Sequence, residues 1–180
     1  MTALVEFEDI EEAFGATVGS DMFAVQLAIE AASEAIRLHT NRTFLPTAAP
    51  VTRSFPVSDG EAVVDDIISV DTVVLDGVAF VDYTLTPLNA AGLGRPYTRM
   101  GNLGTAKLAE VTATYGWPGA VPWPVRQAAL LQALRLVQRR HAPFGVAGSP
   151  EAGSEMRLLA RLDPDVEMLV RPYVRSWYVA

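Results

Sequence analysis

The sequence contains no cysteine, and this absence removes several classes of structure and chemistry. Neither disulfide bonds nor thiolate metal sites can form. With only two histidines, His39 and His141, a transition-metal site would have to depend on carboxylates. Charged residues are scarce, at 19%, while apolar residues make up 50%, a composition typical of a globular chain rather than a disordered one.

The chain also lacks a long uncharged apolar run and a basic amino-terminal segment. A membrane helix requires about 20 consecutive apolar residues, and no stretch approaches that length. The first nine residues, MTALVEFED, are acidic and do not follow the basic-then-apolar order of a secretory signal. We therefore expect no membrane partner and a protein that stays in the cytoplasm where it is made.

Basic residues are few until the last third of the chain. Residues 1–120 hold 6 basic and 16 acidic side chains, whereas residues 121–180 hold 8 arginines and 5 acids. The net charge of −7 disfavours the wrapping of nucleic acid by the whole surface. The arginine-biased end can dock on an acidic protein partner, or both ends can simply be solvated.

Two long helices are predicted, and the first has a wide apolar surface. It follows a short helix over 9–14 and runs over 21–38, with Ser20 as its N-cap residue. Its polar residues occupy a stripe only about a third of the circumference wide, so the apolar surface covers most of the rest. A helix that packs only on its own domain needs an apolar stripe of ~100° or somewhat more, which is much narrower. The apolar surface is therefore either sandwiched within the fold, which we favour, or covered by a neighbouring subunit.

Between the two long helices, over about residues 43–115, the pattern changes to short extended runs. Strands are predicted over 51–57, 62–64, 67–75 and 107–115. Asp76-Gly77 is a strong turn dipeptide and predicts a hairpin. The glycine-rich segment 92–104 is predicted to be a long loop. These elements predict a small antiparallel β domain.

An acidic pair and the alternation of the last strand give two further predictions for this β region. The adjacent Asp65 and Asp66 are predicted to form a turn, because two neighbouring side chains on a strand would point apart. In the last strand, Leu108, Val111 and Ala113 are expected to alternate with polar residues and to face inward.

Trp123-Pro124 begins the second long helix, which is predicted to end near His141 because proline and glycine follow. Its apolar face is predicted to comprise Ala129, Leu130, Ala133, Leu134, Leu136 and Val137, and its polar face Gln127, Gln132, Arg135, Gln138 and Arg139. The stretch GVAGSPEAGSE is predicted to be a linker, and Asp163-Pro164 to cap a final helix through Val170.

These elements together predict an α+β fold. Two long packed helices, with short flanking helices, carry the small antiparallel β domain inserted between them. Residues 1–144 are expected to form the core, and residues 145–180 a linker and a carboxy-terminal docking arm.

The sequence offers no arrangement of residues suited to catalysis. His39 projects onto the apolar side of its helix, and His141 lies at a helix carboxyl end, where it favours the helix dipole. Gly92-x-Gly94 does not follow a strand-to-helix order, GNLGTAK has the wrong spacing for a P-loop, and no G-x-S-x-G motif occurs. We predict that the protein is not an enzyme and has no catalytic, metal-binding or cofactor-binding residues.

Arginines and aromatics near the end of the chain predict a docking surface. Large aromatics at a chain end rarely stabilise a monomer, whereas Trp, Tyr and Arg are enriched at interface hot spots. The residues expected to contact a partner or a neighbouring subunit are Arg135, Arg139, Arg140, Arg171, Tyr173, Arg175, Trp177 and Tyr178.

Three motifs mark the junctions between the helices and the β region. HTNRTF ends the first long helix, VTATYGW contains the last strand, and VPWPVRQAALLQALRLV begins the second long helix. The residues that carry the pattern are Thr40, Arg42, Phe44, Val111, Thr112, Tyr115, Gly116, Val121, Pro122, Val125, Arg126, Gln127 and Ala128. This layout, over about residues 9–141, resembles the head–tail connector family of tailed bacteriophages, also called adaptor or head-completion proteins.

The resemblance implies a function in the virion neck, after assembly in the host cytoplasm. Connector subunits form a homo-oligomeric ring, commonly dodecameric, that joins the portal protein of the head to a stopper or tail-completion protein. Double-stranded DNA passes through the lumen without sequence-specific binding. The residues of the docking surface would then contact the portal or a neighbouring subunit, and neighbours in the ring would cover the wide apolar surface of the first long helix.

Two alternatives stay open. Within the same class, the chain could be another neck protein, such as a stopper or a tail terminator. From a different class, it could be a small cytoplasmic enzyme with an unrecognised site. A DNA-binding regulator fits poorly with a pI of 4.8 and the lack of a recognition helix.

Overall fold

The computed structural model describes residues 3–14, 22–141, 146–147, 156–157 and 162–175, and the side chains of 3–13, 22–138 and 162–175. The chain divides into a helical unit, Met1–Asn41 with Pro122–Val174, and a β unit, Arg42–Val121 with Arg175–Ala180. The combination of helices with an antiparallel sheet confirms the predicted α+β class. No helix in the described part of the chain is long and apolar enough to cross a membrane.

The helical unit is built mainly from four helices. In chain order its elements are α1 (Phe7–Phe14), α2 (Met22–Thr40), α3 (Trp123–His141), the short strands β7 (Val146–Ala147) and β8 (Met156–Arg157), and α4 (Pro164–Val170) with the 3₁₀ turn Arg171–Tyr173. Helix α2 lies against α3, α4 packs on α3, and α1 contacts both α2 and α3. Part of the predicted docking arm, α4, therefore belongs to the helical unit. Strands β7 and β8 pair where a linker was predicted.

Helix α2 extends two residues beyond its predicted end, to Thr40, because a side chain holds its last turn. The Thr40 hydroxyl donates a hydrogen bond to the Ile36 carbonyl oxygen, at 2.7 Å. Two turns earlier, on the buried side of the helix, the Ser33 hydroxyl donates to the Ile29 carbonyl at 2.8 Å and accepts from the Leu4 amide at 3.0 Å. These bonds satisfy the two hydroxyls that the apolar interior would otherwise penalise.

Helix α3 begins at Trp123, as predicted, but one assignment of its faces is wrong. Gln132 was placed on the polar face, yet it is buried. It follows Ala128 and Ala129 by one turn, so the helical period brings it onto their buried side. Its Oε1 atom has no hydrogen-bond partner among the described residues. Helix α4 is capped as predicted, since the Asp163 carboxylate accepts from the Asp165 amide at 3.0 Å.

The β unit is a six-stranded antiparallel sheet. Its strands are β1 (Val51–Pro56), β2 (Ala62–Leu75), β3 (Val78–Phe80), β4 (Thr84–Thr86), β5 (Tyr97–Gly101) and β6 (Leu108–Tyr115), with a 3₁₀ turn at Ala91–Leu93. The strand order is β1-β6-β2-β5-β4, and β3 pairs with the far end of β2. The core of the unit lies on the face that carries Val64, Ile67, Met100, Val111 and Tyr115.

Two expectations for the sheet are wrong. Residues 62–64 and 67–75 belong to one strand, so Asp65 and Asp66 lie within β2 rather than in a turn. The strand continues through this acidic pair because arginines neutralise each carboxylate, and register shifts on both sides accommodate it. The segment 92–104 contains β5, because pairing with β2 and β4 on both sides outweighs the low strand propensity of its glycines.

The predicted hairpin is confirmed. Asp76 and Gly77 have φ values of 47° and 87°, as a two-residue turn with two positive φ angles requires. The Asp76 carboxylate also accepts from the Leu108 amide at 3.0 Å, which ties the turn to the start of β6. Leu108 itself is exposed, contrary to expectation, because it shares the outer face with Glu110 while Val111 and Ala113 are buried.

Candidate assembly interface

Several residues that carry the resemblance, among them Arg42, Phe44 and Gly116, belong to a cluster in the β unit that is largely buried. Phe44 is buried, and its ring centroid lies 5.6 Å from that of Trp117. The guanidinium carbon of Arg42 lies 5.7 Å from the Trp117 ring centroid, within the range of a cation–π contact. Arg42 Nη1 also lies 2.5 Å from Asp66 Oδ1. These contacts hold the segment after α2 against the end of β6.

Asp66 is the centre of this cluster. Its side chain is only 4% exposed, and Arg175 Nη1 lies 3.6 Å from the same oxygen that pairs with Arg42. Burial raises the pKa of the Asp66 carboxyl to about 6, against the opposing effect of the two arginines. The Arg175 guanidinium also donates to the Val64 carbonyl oxygen, and burial lowers its pKa. The cluster therefore satisfies its charges internally.

Gly116 allows the chain to approach this cluster closely. Its φ is 133°, and a Cβ atom there would lie 2.5 Å from the Leu45 carbonyl oxygen. Its amide donates to the Asp66 carbonyl oxygen at 2.8 Å. The motif residues Arg42, Phe44 and Gly116 are thus structural, which explains why they can mark a fold without forming a binding surface.

Asp65 pairs with a different arginine, Arg53 of β1. Its Oδ2 lies 2.6 Å from Arg53 Nη1, and the Arg53 guanidinium carbon lies 4.1 Å from the Tyr115 ring centroid. Burial raises the pKa of the Tyr115 hydroxyl to about 12. In the described part of the chain, no three His, Asp or Glu side chains are grouped so that they could hold a metal ion.

The structure describes the side chains of four of the eight predicted docking residues, and these four differ in exposure. Arg135 is half-buried and lies 2.5 Å from Asp163, and Arg175 is buried in the cluster described above. Arg171 is exposed and Tyr173 is half-buried. The remaining predictions, the side chains of Arg139, Arg140, Trp177 and Tyr178, lie outside the described residues.

A mainly apolar stripe, interrupted by Glu34, is exposed along α2. Phe23, Leu27 and Leu38 are 78%, 57% and 60% exposed, and Ala31 lies between them on the same side of the helix. The opposite side, with Val25, Ile29, Ala32 and Ile36, is buried. The preference for burial of the whole apolar surface within the fold is therefore wrong. This stripe, Phe23, Leu27, Ala31 and Leu38, is called the α2 stripe below.

A groove lies between α1 and the outer side of α3. It has a volume of about 340 Å³ and is lined by Val5, Asp9, Glu12, Ala13, Trp123, Arg126, Gln127 and Leu130. Trp123 is 76% exposed, and the Arg126 guanidinium carbon lies 5.4 Å from its ring centroid. Arg126 Nη2 lies 2.5 Å from Asp9 Oδ1 across the groove. We call this the α1–α3 groove. Its lining includes Arg126 and Gln127, two of the residues that carry the resemblance, but the sequence did not indicate a groove there.

Two solved structures with this fold are chains from the necks of particles. A chain in the neck of an empty gene transfer agent (GTA) particle, computed with C6 symmetry, matches with a TM-score of 0.62 and 18% identity. The match covers 99% of this chain and 95% of that chain. A chain in the neck of a native GTA particle, computed with C12 symmetry, matches with a TM-score of 0.54, 16% identity and the same coverage.

The sequence comparisons add no closer relation. No protein-family model and no curated protein sequence matches the chain. The likeness to the two neck chains extends over nearly the whole length of both partners, so it includes the helical unit and the β unit together. It bears out, at the level of the fold, the resemblance to neck proteins that the motifs indicated. The chain has the fold of a component of the GTA particle neck.

Proposed function

We propose that this protein is a structural, non-enzymatic component of a virion neck that forms a ring of identical subunits. The ring would join the portal vertex of the head to the next neck or tail component. The observation that carries the proposal is the fold likeness, over 99% of the chain, to neck chains of GTA particles. Enzyme, cofactor and metal chemistry have no part in the proposed function.

The exposed apolar surface supports an oligomer. The α2 stripe leaves three large apolar side chains in contact with water in a single chain, and exposed apolar patches commonly mark interaction sites. In a ring each subunit has two neighbours, so such a surface can be covered. The C12 symmetry of one matching neck supports twelve copies as the proposed number. The packed pair α2 and α3 would be the framework of the ring.

The charge of the chain supports passage of DNA without binding. The net charge of −7 disfavours close contact with phosphates, since like charges repel. We propose that acidic residues face the lumen of the ring, and that double-stranded DNA passes there without sequence-specific contacts.

We also propose a contact between the carboxy-terminal residues and the portal protein. Among the described members of the predicted set, Arg171 and Tyr173 have accessible surface, whereas Arg135 and Arg175 are engaged in ion pairs. The contact would therefore be made by Arg171 and Tyr173 and by the residues that follow Arg175.

Native mass spectrometry of the protein, alone and with the portal protein of the same genome, tests the proposal. We expect either a large cyclic multimer of the protein alone or a complex with near-equal subunit counts when the portal is present. A monomer under both conditions would contradict the ring. A complex that forms only on an already assembled head–connector would instead favour a stopper.

A further inference from the structure

We infer that the subunits of the proposed ring meet through two different surfaces: the α2 stripe of one copy docks in the α1–α3 groove of the next copy. This inference rests on the proposed function, because it names the contact by which the ring closes. Both surfaces belong to the helical unit, so each copy presents one of each.

The α2 stripe is shaped to insert into a partner. Phe23, Leu27 and Ala31 follow one another at intervals of four residues, and Leu38 continues the same side two turns later. Residues at this spacing project from one side of a helix as a ridge. Glu34 lies on the ridge between Ala31 and Leu38. It is joined to Arg37 at 2.5 Å, so docking would bury it as a paired charge.

The α1–α3 groove offers apolar and aromatic side chains to such a ridge, together with the polar or charged Asp9, Glu12, Arg126 and Gln127. Its floor and walls include Val5, Leu130 and the exposed ring of Trp123, and large apolar and aromatic side chains are the usual anchors of interfaces. The one arginine that lines the groove, Arg126, is paired with Asp9 at 2.5 Å. A ridge of apolar side chains can therefore enter without burying an unpaired arginine.

The two surfaces face away from each other across the helical pair. Helix α2 contacts α3, and its stripe lies opposite its buried side. On α3 the buried side is formed by Val125, Ala128, Ala129, Gln132 and Ala133, whereas Trp123, Gln127 and Leu130 of the groove project on the other side. One copy therefore cannot fill its own groove, and a contact between unlike surfaces on opposite sides propagates from copy to copy until a ring closes.

Charge-bearing substitutions at exposed positions test each surface separately. The stripe variant is Phe23→Glu with Leu27→Glu, the groove variant is Trp123→Glu with Gln127→Glu, and the control is Val81→Glu in the β unit, a position 89% exposed. We expect the stripe and groove variants to lose the multimer in native mass spectrometry, with the portal protein present if the wild type requires it. The control should assemble as the wild type does. Circular dichroism shows whether each variant is folded.

A mixture of the two defective variants gives the sharpest result. The stripe variant keeps an intact groove and the groove variant keeps an intact stripe, so together they should form a dimer with one copy of each and nothing larger. Absence of that dimer would overturn the pairing of stripe with groove. A stripe variant that still forms the full ring would overturn the inference and leave the proposed function standing, whereas a wild type that never assembles would contradict both.

Engineered cysteines identify the contact directly, because the chain has none of its own. A mixture of Leu27→Cys and Gln127→Cys proteins should give a disulfide-linked dimer on oxidation, and the double variant should give a ladder of covalent multimers. A dimer of Leu27→Cys alone would show that two stripes meet each other, which contradicts the inference. Stripe variants that form rings but fail to recruit the next neck protein would assign the stripe to that other partner and overturn it as well.

Discussion

The cluster around Asp66 in the β unit and the α2 stripe differ in exposure and in composition: the cluster is buried and polar, and the stripe is exposed and mainly apolar. The cluster is made of residues that stand out in the sequence, such as Arg42, Phe44 and Gly116, and its charges are paired within the chain. The stripe is made of ordinary apolar residues and is left uncovered by the chain that carries it. Recognisable motifs therefore mark how the β unit folds, while the stripe proposed for assembly belongs to no motif.

This contrast has a physical reason. A close backbone approach or a buried ion pair requires particular residue types, so it leaves a pattern in the sequence. An apolar contact between subunits needs area and shape, which many combinations of Phe, Leu and Ala can supply. We therefore expect substitutions in the cluster to lower the free energy of unfolding, and substitutions in the stripe to impair assembly of the subunits.

The largest effect is expected for Gly116→Ala. The new Cβ would meet the Leu45 backbone at 2.5 Å, and a φ of 133° is strained for any residue with a Cβ. Strain and overpacking together should lower the free energy of unfolding by about 4 kcal/mol. Urea unfolding measures it. The matched control is Gly94→Ala, which has a φ of 60° but open space around it and should cost about 1 kcal/mol. Equal effects would show that the close approach is unimportant.

The two sides of α2 should differ almost as strongly. Ile29→Ala removes a buried side chain and should lower the free energy of unfolding by about 3 kcal/mol. Leu27→Ala, two residues earlier on the exposed stripe, should change it by less than about 0.5 kcal/mol in the monomeric protein. Thermal and urea unfolding at low protein concentration measure both. A large loss for Leu27→Ala in the monomer would mean that the stripe is covered within its own chain.

A smaller, pH-dependent effect is expected at Asp66. Its pKa of about 6 in the folded protein lies above the ordinary value near 4, so between these pH values the folded state holds a proton that the unfolded state has released. The stability that this group contributes is full below about pH 4 and is lost as the pH rises through 6. The wild type should therefore lose roughly 2 to 3 kcal/mol relative to Asp66→Asn between pH 4 and pH 7.

Unfolding free energies of the two proteins at several pH values between 4 and 7 check this prediction. The quantity that tests the prediction is how the difference in unfolding free energy between wild type and Asp66→Asn changes with pH. The absolute size of that difference also includes a second effect, because the asparagine side chain leaves two arginines without a carboxylate. Asp65→Asn serves as a neighbouring control for the removal of a carboxylate from the same strand. A difference between wild type and Asp66→Asn that is independent of pH would contradict the assigned environment of Asp66.

Some of the structure follows from the sequence alone, because it depends on local rules. The helical period, Pro124 in the first turn of α3 and the Asp163 cap determined the helices closely. The Asp76-Gly77 turn determined the hairpin. The change from helical periodicity to short extended runs, and back to helical periodicity, determined the α+β class. The sequence also showed that the first long helix has more apolar surface than one packing partner covers.

Tertiary structure alone decided the features that depend on residues distant in the chain. Strand β2 continues through Asp65 and Asp66 because Arg42, Arg53 and Arg175 form ion pairs with them. These arginines are distant in the sequence, so the local pattern around the two aspartates does not predict them. The groove exists because α1 lies across the outer side of α3. The division of α2 into a buried side and an exposed stripe depends on where α3 lies, because periodicity identifies an apolar surface but does not say which part a neighbour covers.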